Sequence, residues 1–293
     1  MKPPPFEYHA PESVPEALAL LGQYGEDAKV LAGGQSLLPL LNLRLARPAH
    51  LVDINALDEI GQIEASNGGL KIGAMVRQRA AERSTVVQQR NPLLTEALPL
   101  IGHPQIRNRG TIGGSLAHAD PASELPAVAA ALEAELVVRS SARGDRVLKP
   151  DQFFQSFLTT AIEADELLVE IRLPAWPSNA GWSCQEVSRR HGDFAMVGVA
   201  CVVRLGANET IEEARLAYTG AGAAPIRAHN AERQLSGQTP SHDAFTAAAE
   251  EAAKALDPQS DVHASAAYRR HVAKALTRRA LQQATERARE TRS

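Results

Sequence analysis

Two short segments about eighty residues apart share one design. Ala32-Gly33-Gly34-Gln35-Ser36 and Thr111-Ile112-Gly113-Gly114-Ser115 each close a glycine pair with a serine. Adjacent glycines let a backbone turn through positive φ and leave no Cβ in the way, so a ligand can lie directly on main-chain N–H groups. The serine adds a hydroxyl donor. A single Gly-Gly after a strand is most simply a tight turn. Two such loops, each followed by an apolar stretch with helical character, can face each other and hold the two phosphates of a dinucleotide from both sides. Neither loop is a GxGxxG, so the pattern is not that of a Rossmann domain.

The rest of the chain predicts α+β architecture with mixed sheets. Ser13-Val14-Pro15-Glu16 has capping-box spacing and opens a helix over about 14–24, with Leu18, Leu20 and Leu21 as its apolar stripe. Lys29–Leu31 reads as the strand that delivers the first glycine loop, and Leu51–Ile54 as another. Two further strands, 60–64 and 70–74, form a hairpin about Asn67-Gly68, followed by helical stretches over 76–90 and 92–101. Ala122–Ala134 reads as a buried helix, and 135–140, 146–149 and 167–173 as strands. Pro174 to Gly181, with two prolines and a glycine, is the best linker. Beyond it lie strands over 182–188, 196–205 and 214–219, then helices from Ala228.

Composition narrows the chemistry. At 293 residues the chain is long enough for two domains with cores that need no staple. It has two cysteines, Cys184 and Cys201, where an iron–sulfur cluster usually takes four thiolates. The opening residues lack a signal-peptide pattern, and no run of eighteen apolar residues occurs, so a cytoplasmic location is expected. A net charge of −3 gives no general reason to expect nucleic-acid binding. Five arginines in the last seventeen residues read as the solvated face of a terminal helix. His103, His118 and His191 have no metal-ligand spacing, and neither Ser36 nor Ser115 lies in a GxSxG turn, so no metal site and no nucleophile are expected. Arg107 and Arg109 either lie near phosphate or cap the preceding helix.

The flanks of the glycine loops carry a resemblance. Leu37–Arg44 and Pro48–Asn55 follow the first loop, Ile106–Gly110 enters the second, Ala119–Pro126 leaves it, and Ser188–Ala195 comes later. Together they resemble the FAD-binding medium subunits of the molybdenum hydroxylases, the family of carbon monoxide dehydrogenase medium chains and the flavin domain of xanthine dehydrogenase. The resemblance covers nearly the whole chain. It implies an FAD-binding domain of the vanillyl-alcohol-oxidase (PCMH) type over 1–176, in two subdomains of about 1–57 and 58–176. A smaller C-terminal domain over 177–293, with a three-stranded sheet and helices, would follow.

It also implies the site. FAD pyrophosphate would lie against Ala32, Gly33, Gly34, Gln35 and Ser36 and against Thr111, Ile112, Gly113, Gly114 and Ser115. Many relatives have histidine at Gln35 and asparagine at Ser115, and both exchanges keep a hydrogen-bonding side chain. Glu124 matches an acidic cofactor contact, Asp120 a second one, and Leu168 a position near the flavin. Phe194 matches an aromatic beside the isoalloxazine ring, a tyrosine in carbon monoxide dehydrogenase; read from the residues alone, it is a core residue on a strand edge. With no histidine or cysteine inside either loop, the FAD should be non-covalent.

The implied partners are a large molybdopterin chain and a small chain carrying [2Fe-2S] clusters, arranged as a dimer of heterotrimers. This chain would take electrons from the clusters and pass them to an external acceptor. Two rival readings stand beside that one: a free-standing FAD-dependent oxidase or dehydrogenase, which needs a base over the flavin that the sequence does not offer, and a non-catalytic assembly module, against which the intact loops argue.

Overall fold

The computed structural model describes residues 2–291. The chain opens with β1 (Glu7–His9), α1 (Val14–Tyr24), β2 (Ala28–Leu31), α2 (Leu37–Asn42) and β3 (His50–Asp53). The three strands form a parallel sheet in the order β1-β3-β2. Ser13 caps α1 by accepting a hydrogen bond from the Glu16 N–H, and Pro15 occupies the first turn, where a missing N–H costs nothing. Val14, Ala17, Leu18 and Leu21 turn into the core, each large side chain contributing about 1.5–3 kcal/mol by burial.

The second unit begins with the hairpin β4 (Ile63–Ser66) and β5 (Gly69–Gly73). Helices α3 (Gln78–Arg83), α4 (Thr85–Arg90), α5 (Pro92–Ala97), α6 (Pro104–Arg109), α7 (Ile112–His118) and α8 (Glu124–Ala131) follow. The helix expected over 76–90 is broken, because Ser84 leaves helical geometry and caps α4 through the Val87 N–H. Then come β6 (Glu135–Ser140), β7 (Gly144–Leu148), α9 (Pro150–Phe153), β8 (Phe154–Ser156), β9 (Thr159–Thr160) and β10 (Glu166–Leu173). An antiparallel sheet of five runs β4-β5-β10-β6-β7. Its central strand β10 is buried on both faces: Leu168 and Ile171 join the core with the helices, while Leu167 and Val169 join α1 and β3.

The third unit has β11 (Ala180–Val187), β12 (Val197–Leu205), β13 (Ile211–Thr219), β14 (Ile226–Arg227), α10 (His229–Leu235), α11 (His242–Ala255) and α12 (Ala266–Glu290). Three long antiparallel strands are joined at one edge by the two-residue β14. Ala200, Val202 and Ala217 face the core of the second unit, whereas Val199, Cys201, Val203 and Leu216 face the terminal helices. Burial on both faces explains why β12 reads as one apolar run instead of an alternation. Gly181 is needed where β11 crosses α12, since a Cβ there would overlap the Ala284 backbone, 2.9 Å from its carbonyl carbon.

One terminal arginine is no solvated side chain. Arg287 pairs with Glu96, donates to the Trp182 carbonyl at 2.8 Å and lies 4.8 Å over the Trp182 ring. Arg292 lies outside the described residues. Among the described residues no helix is long and apolar enough to cross a membrane.

Candidate cofactor site

Strand β2 delivers the first glycine segment into an open loop ahead of α2. Among the described residues, none of the backbone N–H groups from Ala32 to Ser36 has a hydrogen-bond acceptor. Five successive donors left in this state, around a half-exposed loop, suit an anion. The glycines serve two different purposes. Gly34 has φ +75°, the left-handed region that favours glycine. Gly33 does not; it is glycine because a Cβ would overlap the Arg109 carbonyl oxygen and stand 2.8 Å from the Gly110 Cα. Gln35 donates to the Gly33 carbonyl at 3.0 Å and so stiffens the loop.

The second segment is not a loop of the same kind. Thr111 is the N-cap of α7, its hydroxyl accepting from the Gly114 N–H at 3.0 Å, and both glycines sit in the first helical turn with ordinary φ. Its other N–H groups are also in use: Ile112 donates to Val76, Gly113 to Ala74 and Ser115 to Thr111. Gly113 is glycine because a Cβ would meet Ala74, 2.7 Å from its Cα, and a Cβ on Gly114 would stand 3.4 Å from that of Ala32. The expectation of two equivalent positive-φ loops is therefore corrected. One segment presents free donors, and the other is docked on residues 74–76 and packs against it.

Two residues that sequence reasoning did not single out hold the segments together. Asn55 donates to the Ala32 carbonyl at 2.8 Å and accepts from Arg77 at 2.5 Å; Arg77 in turn donates to the Arg109 carbonyl at 2.6 Å. The bracket thus runs from the first loop to the residue before Gly110. Arg77 also pairs through its backbone with Thr111. Burial and the neighbouring Arg109 guanidinium press the Arg77 pKa down, with Asp53 partly opposing them. An Asn after strand β3 and an Arg before α3 carry no spacing signal, so only the fold reveals them.

Arg107 is resolved as structural. Its guanidinium is buried, pairs with Glu82 at 2.8 Å, and donates to the carbonyls of Ile101 and Gly102 at 2.8 and 2.9 Å. Arg109 is exposed beside the first glycine loop.

Asp120 and Glu124 lie where the second and third units meet. Asp120 caps its own turn through the Ala122 N–H, and Thr219 and Gly220 at the end of β13 donate to the carbonyl of Pro121. Glu124 is buried at the start of α8; burial chiefly, with Asp120 adding to it, pushes its pKa up to about 7. Glu186 on β11 is pushed up to about 8 by burial and by Glu124, and its Oε2 is buried with no hydrogen-bond partner among the described residues. Leu168 is a core residue of β10, in one cluster with Ile112 and Leu116. Phe194 is neither core nor strand edge: it stands 60 % exposed in the 188–196 connection. Gly192 (φ +91°) of that connection packs on the ring of His103, the N-cap of α6.

These two acids make stability depend on pH. An unfolded glutamate titrates near 4.5, so at neutral pH the folded chain keeps protons that the unfolded chain has released, and stability falls as pH rises through the folded values. His118, whose pKa burial lowers, opposes this below about 6.5. The FAD-free chain should therefore lose melting temperature between about pH 7 and 8, and Glu186→Gln should flatten the slope. An unchanged slope in that variant would refute the assignment.

Comparison with known proteins agrees with this geometry. The family model of the FAD binding domain in molybdopterin dehydrogenase matches residues 4–176, and that of the CO dehydrogenase flavoprotein C-terminal domain matches residues 182–284. Caffeine dehydrogenase subunit beta of Pseudomonas sp. (strain CBB1) is 43% identical over 98% of this chain and 97% of its own. The carbon monoxide dehydrogenase medium chain of Hydrogenophaga pseudoflava is 43% identical over 96% of this chain and 97% of its own. A solved structure of carbon monoxide dehydrogenase from that organism, lacking the Mo-pyranopterin moiety of the molybdenum cofactor, matches with a TM-score of 0.95 at 43% identity, covering 98% of this chain and 99% of that one.

Fold and site together define an FAD-binding oxidoreductase subunit. The chain belongs to the family of FAD-binding medium subunits of carbon monoxide dehydrogenase-type molybdenum hydroxylases.

Proposed function

We propose that this chain is the electron outlet of a three-component hydroxylase: a large molybdopterin chain oxidises the substrate, a small [2Fe-2S] chain relays electrons, and this chain passes them to an external acceptor. The observation that carries the reading is the row of free N–H groups from Ala32 to Ser36, held against the α7 segment by Asn55 and Arg77. These donors fit a pyrophosphate, and the Ser36 hydroxyl belongs to the same loop. A bound flavin accepts electrons singly and releases them in pairs, which suits a step between one-electron clusters and a two-electron acceptor.

The protein's own part is binding and electrostatics. The loop amides offset phosphate charge. The exposed ring of Phe194 is free to stack on the isoalloxazine, without the hydroxyl a tyrosine would add. Burial keeps the Glu124 carboxyl partly protonated near neutral pH, where an exposed glutamate is fully ionised. Asp120 and Leu168 complete the proposed contacts, with the chain divided near residues 57 and 176. The complex is proposed as a dimer of heterotrimers working in the cytoplasm. Two relatives of equal identity, 43%, are named for caffeine and for carbon monoxide, so the substrate is read elsewhere than on this chain.

The isolated chain should be reduced by dithionite but stay oxidised on mixing with the substrate of the complex. In the assembled complex the same substrate should bleach it. Anaerobic bleaching of the isolated chain near ~450 nm by an organic substrate would favour the free-standing flavoenzyme instead.

A further inference from the structure

We propose that Glu7, His9 and His50 form a binding site for a first-row divalent transition-metal ion of the zinc class, on the parallel sheet and apart from the nucleotide segments. The histidines singled out from the sequence are others; these three residues meet only in the fold. Strands β1 and β3 run parallel with Glu7 opposite His50, and His9, two residues beyond Glu7, points to the same face. One nitrogen from each imidazole and one carboxylate oxygen all lie within 4.8 Å of one another.

The spacings match a coordination sphere. Ligands about 2.0–2.2 Å from a tetrahedral zinc ion are roughly 3.3 Å apart. His9 Nε2 lies 3.2 Å from His50 Nδ1, and Glu7 Oε2 lies 3.5 Å from the same His50 nitrogen. The Glu7 side chain is 72% exposed, so it can rotate to close the third edge while solvent fills the fourth position. Two imidazoles and a carboxylate are a borderline N,N,O donor set that favours zinc, nickel or copper over calcium or magnesium.

The surroundings fix the rings. Tyr24, the last residue of α1, stacks on His50 with centroids 3.7 Å apart and planes at 16°, and on His9 at 5.0 Å and 29°. The cluster therefore sits beside the C-terminal end of an 11-residue helix, whose partial negative charge favours a cation. A bound ion would clip the three-residue edge strand β1 to its neighbour β3.

The test uses the full-length, flavin-loaded chain stripped of metal by a chelator and titrated with zinc chloride against a chromophoric competitor. One equivalent should bind, and the melting temperature should rise with zinc concentration. His9→Gln and His50→Gln should each weaken binding by at least the roughly 10–100-fold that loss of an outer-shell partner costs, and abolish the thermal shift. Glu7→Gln should weaken it less, and His103→Gln should leave it unchanged. Flavin absorbance reports that each variant is folded. Absence of stoichiometric binding, or binding that survives His50→Gln, would overturn the site; binding lost in His103→Gln would mark it as scattered surface coordination and overturn it too.

Discussion

Gly33→Val is expected to strip the purified chain of FAD while leaving it folded. The added Cβ meets backbone, the Arg109 carbonyl and the Gly110 Cα, and backbone cannot turn aside as a flexible side chain can. Overpacking of this kind costs about 1–3 kcal/mol. The cost falls on the seam between the two glycine segments, so at its upper end it lowers cofactor affinity by roughly a hundredfold. The reason differs from simple glycine strain: Gly33 does not have positive φ, whereas Gly34 does. Gly22→Ala is the control, for it lies within α1 with nothing inside 4 Å of its Cβ position and should be neutral or slightly stabilising. Far-UV circular dichroism and the ratio of flavin to protein absorbance decide the matter. Full flavin content in folded Gly33→Val would remove the first segment from the site.

Arg107→Ala should give the largest loss of stability among the arginine variants, about 3–5 kcal/mol. The guanidinium is buried and serves Glu82 together with the carbonyls of Ile101 and Gly102. Burial alone would raise the Glu82 pKa, but hydrogen bonds from Arg107 and Arg79 hold it below the usual carboxylate range. Truncation leaves the carbonyls without their donor and Glu82 with Arg79 alone. Denaturant titration of the FAD-free chain separates this from a cofactor effect. Stability within about 1 kcal/mol of the parent would show that water replaces the guanidinium at little cost.

What the sequence made legible follows from what depends on local spacing. The Ser13 cap, the Asn67-Gly68 turn and the apolar runs of β10 and β12 are encoded within a few residues, and the structure has them. The glycine pairs were visible for the same reason. Their inequivalence was not, because Gly113 is required by Ala74 and Gly33 by Arg109, contacts that appear only when distant segments meet. Asn55 and Arg77 were invisible on the same ground. Phe194 was misplaced when read from residues alone, since an aromatic next to an apolar strand looks like core; Gly192 and its contact with His103 hold the connection at the surface instead. The cofactor contacts of Asp120, Glu124, Leu168 and Phe194 rest on the family resemblance, and mutational titration of FAD is their proper measure.

The sheet of the third unit has no outside. With Val202 and Ala217 turned to the flavin-binding unit and Val203 and Leu216 turned to the terminal helices, neither neighbour can be cut away without wetting an apolar face. A gene that ended at the linker would leave α8 and α5 uncovered, and a gene that began there would leave the far side of β12 bare. Exchange of C-terminal segments between relatives is thus constrained by a shared internal surface, so the two halves should drift together even though only one of them carries the glycine segments.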